Sequence, residues 1–175
     1  LLIFFPGGAY HGGSDRGLSS IEPSYDGGKL AGRGVIVITA NYRLGLFGFL
    51  AHPELTAESA HHASGNYALM DSIAALNWIK ANISRFGGDP NNVTAFGQSA
   101  GSFSVSFLMT SPVAKGLFAK AINMSGTILD RRVTQPELKD AEAEGVKFAS
   151  GLGAPKTGAI AALRQRSAQD LLRQL

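Results

Sequence analysis

The chain contains no cysteine, which excludes a disulfide scaffold and leaves its redox compartment open. It also has no apolar run long enough to cross a membrane as a helix. Charged residues make up only 17% of the chain, and the net charge of +3 comes from residues 111–175, with 10 Lys/Arg against 6 Asp/Glu. These charges alternate in sign, which is typical of solvated helix faces, so the sequence does not predict binding to nucleic acid.

The remaining composition predicts a folded core. Hydrophobic residues account for 45% of the chain, and its 22 glycines indicate tight turns and close backbone contacts. The sequence opens directly on an apolar run at Leu1–Phe5 and stops within a helical pattern at Ala168–Leu175. We therefore expect an internal piece of a longer protein, whose compartment and oligomeric state the sequence leaves open.

Short apolar runs alternate with segments of helical periodicity along the chain. Four runs predict strands: Leu1–Phe5, Val35–Ala40, Val93–Phe96 and Phe118–Met124. The first two, being continuously apolar or β-branched, are typical of strands buried on both faces. Helices are predicted at residues 66–86, 100–110, 136–151, 159–164 and 168–175, with irregular stretches at 6–34 and 41–64. This alternation predicts an α/β fold with a mostly parallel sheet and flanking helices, forming a single partial domain over residues 1–175.

One short motif carries the sharpest chemical signal. Gly97-Gln98-Ser99-Ala100-Gly101 lies between a predicted strand and a predicted helix, which is the setting of a nucleophile elbow. In such a turn a side chain at Gly97 or Gly101 would collide with its surroundings, while Gln98 and Ala100 flank the serine. Ser99 would also lie at a helix N-terminus, where backbone N–H groups favour developing negative charge.

A second glycine-rich segment follows the first predicted strand. Attack by a serine on an ester creates an oxyanion, which backbone amides can stabilise. Gly8 and Ala9 are the predicted donors from this segment, with Gly7 supporting the turn, and Ala100 is the donor after the nucleophile. An ordinary glycine turn is the alternative interpretation for the segment taken alone.

Several long blocks of the sequence resemble the type-B carboxylesterase/lipase family, which includes the cholinesterases. The blocks are Phe5–Ser14 (FPGGAYHGGS), Asn41–Leu50 (NYRLGLFGFL), Gly65–Asp71 (GNYALMD), Ala75–Asn82 (ALNWIKAN), Arg85–Gly101 (RFGGDPNNVTAFGQSAG) and Ser111–Gly126 (SPVAKGLFAKAINMSG). This resemblance implies an α/β-hydrolase fold and a Ser-Glu/Asp-His mechanism that hydrolyses small-molecule carboxylic esters without metal or cofactor. It carries over Ser99 as nucleophile and Gly8, Ala9 and Ala100 as oxyanion donors.

Three residues depart from the family pattern. Pro6 replaces a common His or aromatic residue, Ala9 replaces a common third glycine, and Gln98 replaces a common Glu. Because Ala9 keeps its backbone N–H, its donor role survives the change. The neutral Gln98 weakens the case for cationic, choline-like substrates.

The partners that a catalytic serine needs are not evident in the chain. All four histidines, at positions 11, 52, 61 and 62, precede Ser99, whereas the family places its base and acid after the serine. We expect His11, His61 and His62 to be surface residues. We expect the base and the acid of the triad to lie outside the chain. Asp130 is a minor candidate for the acid, and Asp71 is expected to be a buried structural carboxylate.

Two functions of different classes fit the sequence. The first is a serine carboxylesterase, with lipase specificity as a variant of it, and the second is a catalytically inactive adhesion or scaffold relative on the same fold. The intact elbow and glycine-rich loop favour the enzyme, because a binding module needs neither. Without its base, the isolated chain is expected to show little or no turnover.

Overall fold

Four parallel strands form the sheet in the computed structural model of the chain, which describes residues 1–12, 25–129 and 135–173. The strands are β1 (Leu2–Phe5), β2 (Val37–Thr39), β3 (Thr94–Gln98) and β4 (Lys120–Met124). They lie in the order β2-β1-β3-β4, with Phe5 opposite Gly97 and Gln98 opposite Met124. The predicted α/β class and parallel sheet are thus confirmed, and the carboxyl ends of all four strands meet at one edge.

Burial follows the position of each strand in this sheet. β1 and β3 are central and contribute Ile3, Phe5 and Ala95 to the core. All three residues of β2 are only half-buried, so the prediction that this run is buried on both faces is wrong. The reason is that β2 is an edge strand of the described sheet, with β1 as its only strand neighbour there.

Eight α-helices are described, and most of them were predicted. They are α1 (Gly28–Ala31), α2 (Gly45–Phe49), α3 (Pro53–Glu58), α4 (Tyr67–Asn82), α5 (Ala100–Thr110), α6 (Leu138–Gly151), α7 (Ala159–Arg164) and α8 (Ala168–Leu172). The predicted bounds of α5 and α7 agree with the structure. The prediction of irregular structure is wrong over residues 41–64, where α2 and α3 lie, and at the end of residues 6–34, where α1 lies.

The N-cap of α3 shows why that helix escaped prediction. Pro53 occupies the first turn, where proline is common because its missing N–H would have no helical partner, but the residue before it is not a usual cap. The backbone N–H of Glu54 donates to Nδ1 of the buried His52 at 3.1 Å, so a histidine serves as the N-cap. Histidine is not among the residues usually preferred at this position.

The described residues fall into two compact units. One is drawn from residues 1–48 and 67–133, and it contains the sheet with α1, α4 and α5. Its core includes Leu76 and Ile79 of α4 and Val105 of α5, all almost completely buried. The other unit is drawn from residues 49–66 and 134–175 and contains α3 and α6–α8. The single domain expected from the sequence stays a prediction.

Within the second unit, α3 is tied to the start of α7 by hydrogen bonds from the Glu54 side chain. The Glu54 carboxylate accepts hydrogen bonds from the backbone N–H groups of Gly158, Ala159 and Ile160 at 2.7–3.2 Å. These bonds satisfy amides that the first turn of α7 leaves without helical partners. They also lower the pKa of Glu54 below its ordinary value.

Across the described stretches, none of the helices has the length and apolar character needed to cross a bilayer.

Candidate functional site

Ser99 forms the sharp turn between β3 and α5. Its backbone has φ 52° and ψ −119°, so a non-glycine residue occupies positive φ. Such conformations cost energy and concentrate at functional sites. The Ser99 amide donates to the carbonyl oxygen of Met124 at 2.9 Å, which ties the turn to the end of β4. The serine side chain therefore lies at the carboxyl edge of the sheet and at the N-terminus of an 11-residue helix.

Gly97 and Gly101 make room for this turn. A Cβ at Gly97 would lie 2.4 Å from the backbone carbon and oxygen of Gly101. A Cβ at Gly101 would lie 1.9 Å from the carbonyl oxygen of Phe5. Since the obstructing atoms are backbone, no rotamer change relieves either clash. Both positions therefore require glycine for the close approach of α5 to β1 and β3.

The loop after β1 passes directly against Ser99. A Cβ at Gly7 would lie 2.7 Å from the backbone carbonyl oxygen of Gln98 and 3.1 Å from Cβ of Ser99, so only a glycine fits there. The next residues, Gly8 and Ala9, have φ of 120° and 51°. A tight turn follows, in which the Gly8 carbonyl accepts from the amides of the two residues after Tyr10. The glycine-rich segment and the serine are thus brought together at one edge of the sheet.

Three backbone amides near the serine have no acceptor among the described residues, although Ala100, which carries one of them, is 3% exposed. Over the parts of the chain that the structure describes, the N–H groups of Gly8, Ala9 and Ala100 donate no hydrogen bond. Ala100 is the first residue of α5, and the first four amides of a helix have no intrahelical acceptor. Gly8 is half-buried and Ala9 is exposed, so solvent or a substrate can reach the loop amides.

Two tyrosines that the sequence interpretation did not single out fix this loop. The Tyr42 hydroxyl donates to the Pro6 carbonyl at 2.5 Å, and the Tyr10 hydroxyl shares a hydrogen bond with the Ser104 hydroxyl at 3.1 Å. Burial raises the pKa of Tyr42, and the nearby Tyr10 and Tyr25 add to this effect, so Tyr42 remains a protonated donor. A signal for Tyr42 was available, because it follows β2 and the carboxyl ends of parallel strands meet at one edge.

The far side of the elbow rests on the loop after β4. The Ser102 hydroxyl donates to the Gly126 carbonyl at 2.5 Å. A Cβ at Gly126 would lie 2.9 Å from the Ser99 carbonyl oxygen, which leaves no room for a side chain. The Asn123 amide donates to the Ser102 carbonyl at 3.1 Å and to the Ser106 hydroxyl. The first two turns of α5 are therefore held by hydrogen bonds to β4 and the loop after it.

Gln98 borders a cavity on the sheet face opposite α5. The cavity has a volume of about 230 Å³. It is lined mainly by apolar side chains: Phe4, Tyr25, Leu30, Val37, Phe96 and Met124. The rings of Phe4 and Phe96 lie 4.9 Å apart on its floor. Gln98 is half-buried at the border of this cavity, which the exposed Asp26 also lines.

The other acidic and basic candidates are placed as follows. His11, His61 and His62 are exposed, as expected. Asp130 lies outside the described residues. Asp71 is half-buried rather than buried, so that expectation is wrong; its carboxylate forms a bidentate ion pair with the Arg43 guanidinium at 2.8 Å. Burial alone would raise the pKa of Asp71, but the bonds from Arg43 lower it below its ordinary value.

Metal ligands are not gathered anywhere in the described segments. Within residues 1–12, 25–129 and 135–173, no group of three or more His, Asp or Glu side chains is placed to hold a metal ion. The arrangement around Ser99 instead combines a hydroxyl, a helix N-terminus and open backbone amides. That combination can attack a carbonyl carbon and bind the resulting oxyanion.

Comparison with known proteins gives matches over the whole chain. The sequence model of the Carboxylesterase family matches residues 1–175. The fumonisin B1 esterase of Sphingopyxis macrogoltabida is 44% identical over 171 residues, which cover 98% of this chain and 29% of that protein. The para-nitrobenzyl esterase of Bacillus subtilis (strain 168) is 44% identical over 174 residues, covering 99% and 32%.

Solved structures give the same result. A PNB esterase structure superposes with a TM-score of 0.82 at 42% identity, covering 99% of this chain and 34% of that one. The chain therefore spans about a third of the length of these relatives.

Proposed function

The chain belongs to the carboxylesterase family, and from that premise we propose that its parent protein is a carboxylic ester hydrolase with Ser99 as nucleophile. The α/β-hydrolase fold expected from the sequence is confirmed by its similarity to solved esterases. The substrates proposed are small-molecule esters, and no cofactor is invoked.

In the proposed mechanism, the Ser99 hydroxyl oxygen attacks the ester carbonyl carbon while a base takes its proton. The carbonyl oxygen becomes an oxyanion that accepts hydrogen bonds from the amides of Gly8, Ala9 and Ala100. Collapse of this intermediate breaks the bond to the alcohol oxygen, which receives the proton and leaves as the alcohol. Water then attacks the acyl-serine by the same steps, releasing the carboxylic acid and restoring Ser99.

One observation carries this proposal: a serine with strained backbone lies near three backbone amides that have no hydrogen-bond acceptor among the described residues. Gly7 brings the loop into contact with Ser99, and Gly101 lets α5 approach β1, which supports the proposal that the loop donors and Ala100 serve one oxyanion. Preorganised donors of this kind stabilise the transition state, and loss of one side-chain donor typically costs about 2.7–4 kcal/mol. The positive φ of Ser99 adds support, because such strain persists only where surrounding structure enforces it.

The base and its orienting acid are proposed to come from residues beyond this sequence. No histidine follows Ser99 in the chain, and the family resemblance places both partners after the serine. Without a base the serine hydroxyl is a weak nucleophile. We therefore expect the 175-residue chain alone to show only background hydrolysis.

The test compares the full-length protein with its Ser99→Ala variant, using p-nitrophenyl acetate hydrolysis. We expect kcat to fall by at least about 10³-fold, since loss of a catalytic serine can cost on the order of 10⁶-fold. Ser84→Ala is the matched control, because Ser84 is exposed and its hydroxyl makes no hydrogen bond among the described residues. Full activity in Ser99→Ala would refute the assignment.

A fluorophosphonate probe separates the enzyme from the inactive relative. The probe phosphorus bonds to an activated serine oxygen and loses fluoride, so peptide mass spectrometry identifies the modified residue. The proposal expects modification at Ser99 in the full-length protein. An unmodified Ser99, together with no hydrolysis of esters of several acyl lengths, would favour the adhesion or scaffold function instead.

A further inference from the structure

Tyr10 occupies an unusual place in the loop that supplies two of the proposed oxyanion donors. Its φ is 64°, directly after Ala9 at 51°, so two consecutive non-glycine residues have left-handed backbone. L-residues rarely adopt this conformation, because Cβ crowds the backbone. Two such residues in a row indicate that the surrounding structure holds the loop against its own preference.

Both the backbone and the side chain of Tyr10 are anchored. Its carbonyl oxygen accepts a hydrogen bond from the Gly45 amide at 2.7 Å. Its hydroxyl shares a hydrogen bond with the Ser104 hydroxyl at 3.1 Å, across 94 residues of sequence. Its ring lies 6.0 Å from that of Tyr42, whose own hydroxyl bonds the carbonyl of Pro6 on the other side of the glycines. The loop is thus held at both ends.

Ser104 connects this anchor to the elbow. It lies on α5 one helical turn after Ala100, and it is almost completely buried. Because a hydrogen-bonded helix moves as a rigid body, fixing Ser104 also fixes the Ala100 amide. The Tyr10–Ser104 bond therefore links the loop that carries Gly8 and Ala9 to the helix that carries the third donor.

We propose that Tyr10 is a positioning residue that sets the spacing between the loop donors and the Ala100 donor through its hydroxyl bond to Ser104. The proposal rests on the oxyanion role given above to these amides. A small shift of the loop relative to α5 would leave one donor too far from the oxyanion, since such donors act at about 2.7–3.1 Å. Burial raises the pKa of Tyr10, against a smaller lowering by Ser104, so the phenol stays neutral and can share a proton with Ser104.

The test replaces Tyr10 by Phe in the full-length enzyme, which removes the hydroxyl and keeps the ring. We expect kcat to fall about 10-fold while KM changes less than about twofold, because the donors act mainly on the transition state. A trifluoromethyl ketone, which forms a tetrahedral adduct with an active serine, should bind more weakly by a similar factor. A merely structural role would lower the melting temperature and leave the ketone affinity of the folded enzyme unchanged.

Ser104→Ala provides a second route to the same loss. If the bond is the cause, Ser104→Ala and the Tyr10→Phe/Ser104→Ala double variant should each match Tyr10→Phe, since the second change removes nothing further. Tyr67→Phe is the matched control for removal of a tyrosine hydroxyl, because this ring lies over Arg43 rather than in the loop. Additive losses in the double variant would overturn the proposal.

The Ser99→Ala result distinguishes a failure of the role proposed for Tyr10 from a failure of the esterase proposal. If Ser99→Ala abolishes hydrolysis while Tyr10→Phe keeps full kcat and full ketone affinity, the role of Tyr10 is refuted and the esterase stands. If Ser99→Ala retains activity, the esterase proposal itself fails, and with it the premise for Tyr10.

Discussion

Gly101 should be the position on α5 least able to accept a methyl group. In an exposed helix interior, replacing Gly by Ala stabilises a protein by about 1 kcal/mol. Here the added Cβ would lie 1.9 Å from the Phe5 carbonyl oxygen, 1.1 Å inside the 3.0 Å below which Cβ contacts essentially never occur. It would also lie 2.8 Å from the Pro6 carbonyl oxygen, so the helix cannot escape by sliding along β1.

The expected loss of stability in Gly101→Ala depends on which atoms must move to relieve the clash. Overpacked cores usually lose about 1–3 kcal/mol when neighbouring side chains can adjust, and more when they cannot. Because both obstructing atoms belong to backbone, we expect Gly101→Ala to lower the free energy of unfolding by about 3 kcal/mol or more. Any shift of α5 that relieves the clash would also carry the Ala100 amide away from the loop, so kcat should fall in the molecules that remain folded.

Urea denaturation of the full-length protein, followed by circular dichroism, measures the first effect. Gly151→Ala is the matched control, because Gly151 ends α6 with no heavy atom within 4 Å of an added Cβ. That variant should be neutral or slightly stabilised. If Gly101→Ala unfolds at the same urea concentration as the parent, the close approach of α5 to β1 is not required and the steric argument for the elbow fails.

Two further perturbations test the core of the first unit and the helix-capping carboxylate of the second. Leu76→Ala, at a completely buried position, should lower the free energy of unfolding by about 2–5 kcal/mol. The control Leu129→Ala, at a position 85% exposed, should lower it by less than about 0.5 kcal/mol. Equal losses for the two variants in urea denaturation would contradict the packing described. Because its folded pKa is lowered, Glu54 stabilises the fold above its unfolded pKa, and this contribution is lost as pH falls through the folded value. Melting temperatures from pH 7 to pH 3 should therefore fall less steeply in Glu54→Gln than in the parent, whereas the control Glu137→Gln, at an exposed residue, should follow the parent.

Local patterns predicted the parts of the fold that depend on neighbouring residues. The bounds of α5 follow from a serine turn at one end and Pro112 beyond the other. The need for glycine at positions 97 and 101 follows from the geometry of a tight strand-to-helix turn. The structure adds the identity of the backbone atoms with which a Cβ at either position would clash. The placement of the glycine-rich loop beside Ser99 follows from parallel strands that end at one edge.

Other features depend on partners far away in sequence. Tyr10 and Ser104 are 94 residues apart, and no periodicity within either segment indicates that their hydroxyls meet. The half-buried state of β2 depends on its place in the sheet, because the same β-branched run would be buried between two neighbours. α3 is capped by a histidine, which is not a usual N-cap residue, so its start lacks the strongest local signal even though Pro53 and Glu54 occupy its first turn.

The division of the second unit between two distant stretches has a consequence for synthesis on the ribosome. Glu54 emerges 104 residues before Gly158, whose amide it binds. At roughly 5–20 residues per second, that partner follows about 5–20 s later. Within that interval the last of the four described strands of the first unit leaves the ribosome, whereas Glu54 of α3 still lacks its partner Gly158. In the nascent chain, the sheet should therefore become resistant to protease earlier than residues 49–66 do. Chaperones would bind the latter segment during that interval.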